Sequence, residues 1–198
     1  VGLFTLVLLA GFVLAAANLN RLCLLLSPLA ILIIRGSSFT KRFTWGSHLF
    51  LGLALAIAPV GGWVAITGSF AVTPWLLAAA VLLWVAGFDI NYSCQDAGHD
   101  RKVGLHSIPG RFGIGPALVI ARLFHALALL VLATVGVTAG LHPVYHAGLA
   151  LIGGLFLWEH RLVKGSDMSR VDMAFFNMNG IIAVLYLVVI LGALFMGG

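Results

Sequence analysis

Charge is scarce in this chain: Asp, Glu, Lys and Arg supply 9% of its 198 residues, and only six residues are acidic. With 62% hydrophobic residues and a mean hydropathy of +1.13, a water-soluble fold of this length is excluded, because it could not hide so much apolar surface. Cysteine is scarce too, with Cys23 and Cys94 alone. His and Cys do not cluster in the sequence, which argues against a zinc site. No linker, low-complexity tract or short repeat interrupts the chain, so 1–198 reads as a single domain. The opening stretch shows neither the basic front nor the small-residue cleavage site that mark a signal peptide. The chain opens on Val1 without a Met and is apolar at once; the expectation is a start in mid-sequence.

What the chain has in quantity is apolar runs. Seven fall at approximately 1–17, 22–34, 49–67, 75–92, 114–140, 144–162 and 173–196, against the roughly 20 residues that a spanning helix needs. The second is short and is expected to extend at both ends. A β-barrel would show segments of about ten residues alternating in polarity, and runs such as LLAAAVLLWVAG and LVLATVGVTAG do not alternate. The predicted fold is therefore all-α, a polytopic transmembrane helix bundle. Gly136 and Gly140 form a GxxxG at a helix end, read as close helix packing in lipid.

Nine of the eleven Lys and Arg residues lie in three connections, Arg35 to Arg42, Arg101 to Arg111 and Arg161 to Arg170. The alternate connections at 68–74 and 141–143 carry none, so by the positive-inside bias the three basic loops face the cytoplasm. All six acids lie on that side, Arg21 and Arg122 being the two basic exceptions. The net charge of +5 and pI near 9.8 follow from this topology and call for no nucleic-acid partner. Cys23 and Cys94 fall on opposite faces, so a disulfide is excluded.

Half of the acids sit in one stretch, GFDINYSCQDAGHDRKVGLHSIPGRFG at 87–113. Asp89, Tyr92, Asp96 and Asp100 are spaced three, four and four, which on a continuous α-helix stacks them on one face about 5–6 Å apart. An ionised Asp at membrane depth costs about 3 kcal/mol on insertion scales, so such a ladder calls for a cation. One reading is divalent metal: oxygen ligands without a closed cage suit Mg²⁺, which keeps several waters and bridges to phosphates, and the substrate is then a phosphorylated lipid. The other is a polar helix end, with Asp96 and Asp100 solvated and only Asp89 unusual. Lys41 and Arg42 in FTKRFT, and Arg101 and Lys102 after the ladder, are each either contacts to the phosphate of such a substrate or positive-inside anchors. Arg122, inside a helix with His125 one turn on, is either a partner for an acid or part of a polar cavity. His99, His106 and His160 lie near the basic loops and read as solvated.

The stretch DINYSCQDAGHD, 89–100, has the pattern DxxYxxxDxxxD, and in it the chain resembles the second aspartate-rich motif of the UbiA superfamily of intramembrane prenyltransferases. GLHSIPGRFG after it, SFTKRFTWGSHLFLGLALAIAPVGGWVAITG at 38–68 and FFNMNG at 175–180 are similar to neighbouring family segments. The resemblance covers essentially the whole chain and is strongest toward the 4-hydroxybenzoate polyprenyltransferase branch.

That resemblance implies nine transmembrane helices and two aspartate-rich motifs, the first of an NxxxDxxxD type. The seven runs then correspond to the third to ninth helices, and the 198-residue chain alone is expected to be inactive. It further implies an allylic polyprenyl diphosphate held by Mg²⁺ between both motifs, and loss of diphosphate to give a cation that alkylates an aromatic acceptor such as 4-hydroxybenzoate. The setting is ubiquinone or menaquinone biosynthesis in the bacterial inner membrane, with the active-site loops cytoplasmic. Asp96 and Asp100 become the metal ligands. Asp89 is a further ligand, or contacts the acceptor or takes up its proton, and Tyr92 shapes the same pocket. Asn179 matches a family Asn, its alternative being a helix-packing hydrogen bond; His106 stands where many relatives have Lys. Two rivals remain. A transporter would continue its polar groups through the bilayer, whereas the acids here crowd one face. A CDP-alcohol phosphotransferase would share DAGHD but needs DG and AR pairs before it, and neither precedes it here.

Overall fold

Each of the seven apolar runs is helical in the computed structural model, which describes residues 2–163 and 173–197. The helices are α1 (Gly2–Leu19), α2 (Arg21–Ser37), α3 (Ser47–Thr67), α4 (Val72–Ser93), the short α5 (Ala97–Val103) and α6 (Ile108–Phe112), then α7 (Ile114–Thr138), α8 (Val144–Leu162) and α9 (Asn179–Gly197). A 3₁₀ turn at Thr40–Arg42 lies between α2 and α3, and a π-helical turn at Met173–Met178 leads into α9. No strand occurs among the described residues. As expected, α2 runs beyond its apolar stretch at both ends, to 17 residues.

Five of the helical segments are long and apolar enough to cross a membrane: Gly2–Leu19, Ser47–Thr67, Val72–Ser93, Ile114–Thr138 and Phe176–Gly197. The expected count of seven spans is thus met by five on length and composition; α2 and α8 pack alongside them. Large apolar side chains such as Phe4, Leu32, Leu151 and Phe195 are exposed, an arrangement that only lipid stabilises. The chain is an integral membrane protein.

Local chemistry fixes the corners. Asn20 separates α1 from α2: its side-chain oxygen accepts from the Cys23 N–H at 2.9 Å, and its amide donates to the Val64 and Ala65 carbonyls at 2.7 and 3.2 Å. One side chain thereby caps α2 and ties the α1–α2 corner to the far end of α3. At Gly68 the α3 helix closes in the left-handed conformation, φ 64°, which glycine adopts without steric cost.

α4 is the central helix, with α3 against one side and α7 against the other. Both contacts depend on missing side chains. A Cβ on Gly52 would collide with the Leu82 carbonyl, and one on Gly87 with the His125 ring. Around them Ala56, Ala78, Ala80, Ala86, Ala117 and Ala121 are buried, the small-residue packing that lets helix backbones approach in lipid. The remaining helices follow in sequence: the Tyr145 hydroxyl donates to the Leu132 carbonyl at 3.0 Å and meets the Tyr186 hydroxyl at 3.3 Å, linking α7, α8 and α9.

Candidate functional site at the basic end of the bundle

The expected single-helix ladder of aspartates does not form. α4 stops at Ser93, the chain turns through Cys94–Asp96, and α5 starts at Ala97. The cause is local. The Ser93 hydroxyl and Cys94 thiol both bond back to the Ile90 carbonyl, at 3.0 and 3.3 Å, competing with the helix for that acceptor. The N–H groups of Cys94, Gln95 and Asp96 then close i→i−3 bonds to Asn91, Tyr92 and Ser93, tightening the turn to 3₁₀ geometry. Asp89 and Tyr92 therefore end α4, Asp96 precedes α5, and Asp100 lies within it.

The break lets each carboxylate take a different partner. Asp100 is buried at 1% exposure, and its Oδ2 is 2.9 Å from Lys41 Nζ in the 3₁₀ turn. One backbone bond holds that turn against the α5–α6 connection, the His106 N–H donating to the Lys41 carbonyl at 2.7 Å, and the Ser47 hydroxyl at the start of α3 donates to the His106 carbonyl at 3.4 Å. Trp45 and Phe112 add an edge-to-face contact at 5.3 Å. Two of the three basic connections are thus one structural unit; most of the third, 164–170, lies outside the described residues.

Asp89 is turned elsewhere, its Oδ2 lying 2.6 Å from His48 Nδ1 on α3. Asp96 is exposed, as are Arg42, Arg101 and Lys102. The Arg101 side chain folds back on its own helix, its Nε donating to the Ala97 carbonyl at 3.2 Å, and Arg42 stacks over Phe39 at 5.8 Å. Tyr92 packs edge-on against Phe176, with centroids 6.4 Å apart. Asn179 accepts from the Trp84 indole N–H at 2.8 Å, the helix-packing alternative for that residue.

Two expectations for the histidines and Arg122 need correction. His160 is not solvated: its Nε2 lies 3.0 Å from Nδ1 of the buried His125. The other His125 nitrogen lies 3.2 Å from the Trp84 carbonyl, which only accepts, so His125 Nε2 donates and Nδ1 accepts from His160. His125 is consequently a helix-packing group rather than a cavity wall. Arg122 is exposed on α7, and no ion pair to an acid forms there among the described residues. His99 and His106 are exposed, as expected.

Sequence reasoning missed His48 and the fully buried Glu159, whose Oε1 accepts from Asn91 Nδ2 at 3.0 Å. His48 left a signal, a polar ring beside Ser47 at the start of an otherwise apolar helix; Glu159 left none, since it precedes His160 and Arg161 at a polar helix end. No three His, Cys, Asp or Glu side chains converge on a metal position among the described residues. Of the motif's other carboxylates, Asp96 is exposed and Asp100 is buried against Lys41, so a metal held here would need water and phosphate oxygens to complete its shell.

The family model described as the UbiA prenyltransferase family matches residues 1–181. The 4-hydroxybenzoate octaprenyltransferase of Photobacterium profundum is 31% identical over 94% of this chain and 64% of its own length. That of Chromohalobacter salexigens is 34% identical over 86% of this chain and 58% of its own length. The chain therefore spans about three fifths of these relatives. The apo structure of a UbiA homolog from Aeropyrum pernix K1 superposes with a TM-score of 0.82 at 33% identity, covering 92% of this chain and 68% of that one. With its motif, its helix order and these matches in agreement, the chain belongs to the UbiA prenyltransferase family.

Proposed function

We propose that this chain carries part of the site that transfers a polyprenyl group from an allylic polyprenyl diphosphate to 4-hydroxybenzoate, in ubiquinone or menaquinone biosynthesis at the bacterial inner membrane. The observation that carries the reading is the Asp100–Lys41 pair, which joins an aspartate of the DxxYxxxDxxxD stretch to a basic loop 59 residues away in sequence. The names of the relatives support the acceptor. An apolar cavity of about 540 Å³ between α1, α2, α3 and α4, lined by residues such as Ala16, Leu26, Ala56 and Val60, suits an isoprenoid chain.

In this reading Asp96 and Asp100 would hold Mg²⁺, which when bound would supply positive charge against the diphosphate leaving group. Lys41 offsets the buried negative charge of Asp100 and, with its side chain 33% exposed, presents an ammonium to the phosphate oxygens. Arg42, Arg101 and Lys102 surround the same end as exposed cations. The allylic C–O bond breaks, a bond to the aromatic ring forms, and the ring carbon gives up its proton. Asp89 and Tyr92, near the end of α4, are the groups assigned to the acceptor in this reading, Asp89 as the group that takes up the ring proton. The basic end faces the cytoplasm in this assignment.

The test is a chimaera in which the matched segment of the Photobacterium profundum enzyme is replaced by this chain. Magnesium-dependent prenylation of 4-hydroxybenzoate is the expected result. A folded, membrane-inserted chimaera that makes no product would refute the assignment.

A further inference from the structure

His48 is 1% exposed at the start of α3, and both of its ring nitrogens are engaged. The Ile108 backbone N–H, at the first residue of α6, lies 3.3 Å from Nε2. A backbone N–H only donates, so Nε2 must be the bare, accepting nitrogen. The ring proton is then on Nδ1, 2.6 Å from Asp89 Oδ2, and donates to the carboxylate. Free imidazole carries no such constraint; here the hydrogen bond on one nitrogen selects the tautomer presented by the other.

We infer that His48 is a positioning residue for Asp89: held as the Nδ1–H tautomer by the Ile108 N–H, it fixes the carboxylate of the first motif aspartate and locks α3, α4 and the α6 entrance in one register. Two features make this more than packing. The bond is short and ends on a carboxylate, a charge-assisted geometry. The Asp89 side chain also stays 23% exposed at the open basic end, so the group being held is one that a ligand can reach. Held there, Asp89 is committed to a fixed direction. Its effect on turnover rests on the function proposed above, whereas the tautomer does not.

The physics also names the replacement that works. Gln at 48 offers an amide N–H to Asp89 and a carbonyl to the Ile108 N–H, reproducing both bonds; Ala and Phe reproduce neither. The deciding experiment is nitrogen NMR of the full chain in detergent, labelled at histidine. The expected pattern for His48 is a protonated Nδ1 and a bare Nε2, with the Nδ1 proton losing its strongly hydrogen-bonded position in Asp89→Asn. An Nε2-protonated or doubly protonated ring, or a spectrum indifferent to Asp89→Asn, overturns the inference. In the chimaera, His48→Ala is expected to lower kcat about 10–100-fold, the range for losing a group that orients an active-site ligand, with KM for the prenyl diphosphate little changed, and His48→Gln to restore most of the loss. Equal losses in the Gln and Ala variants overturn the positioning role. If the parent chimaera makes no product, the proposed function fails while the nitrogen pattern still decides for or against the tautomer.

Discussion

Replacing Lys41 by Ala strips the buried Asp100 of its cation. Removing one partner of a buried ion pair costs about 3–5 kcal/mol because the remaining charge is uncompensated. Here the Asp100 side chain is 2% exposed but that of Lys41 is 33% exposed, so water enters from one side and about 2 kcal/mol is expected. The loss falls on the docking of α5 and α6, since the pair is their main charged tie to the 3₁₀ turn. Two kcal/mol is about 30-fold in a local opening equilibrium. That segment carries exposed Arg101, Lys102 and Arg111, so trypsin reports the opening directly, cleavage following the open population. Lys41→Ala should be cut there about 30-fold faster than the parent protein. The double variant with Asp100→Asn should return to within about threefold, because no charge is left buried. Cleavage of Lys41→Ala at the parent rate, or a double variant no slower than the single one, would refute the reasoning.

Two further outcomes follow from the same geometry. Cys94 is 2% exposed and burial pushes its thiol up to about 11; the reactive thiolate gains as pH rises toward that value, so at pH 8 only about one thiol in a thousand is ionised. Maleimide at pH 8 should leave it intact while labelling a cysteine placed at exposed Ser69, and rapid labelling of Cys94 would contradict its buried placement. For topology, Ser37→Cys and Ser69→Cys should react with a membrane-impermeant reagent from opposite sides, Ser37 from the cytoplasm; reaction of both from one side would refute the assigned orientation.

The helices were legible because the apolar runs are long and a hydrogen-bonded helix is what lipid allows. The second run was too short as drawn because Arg21, Arg35 and Ser37 belong to the helix without adding to its hydropathy. The aspartate ladder misled because i, i+3 and i+4 spacing presumes an unbroken helix, and the Ser93 and Cys94 side chains take the Ile90 carbonyl away from it. Spacing also carries no information about partners far along the chain. Asp100 meets Lys41 and Asp89 meets His48 across 59 and 41 residues, pairings created by the α3–α4 hairpin and the docking of α5. His160 misled for a related reason: its place beside a basic loop suggested water, but the last turn of α8 presents it to His125.

The central claim is that Asp96 and Asp100 serve prenyl transfer at the basic end of this bundle. The most direct measurement is transfer from an allylic polyprenyl diphosphate to isotopically labelled 4-hydroxybenzoate by the chimaera, with and without Mg²⁺, in the parent and in Asp96→Asn and Asp100→Asn. The account predicts Mg²⁺-dependent product in the parent and a drop of at least about 100-fold in each variant, the scale of removing one electrostatic stabiliser of a transition state. Undiminished turnover in the two variants would contradict it.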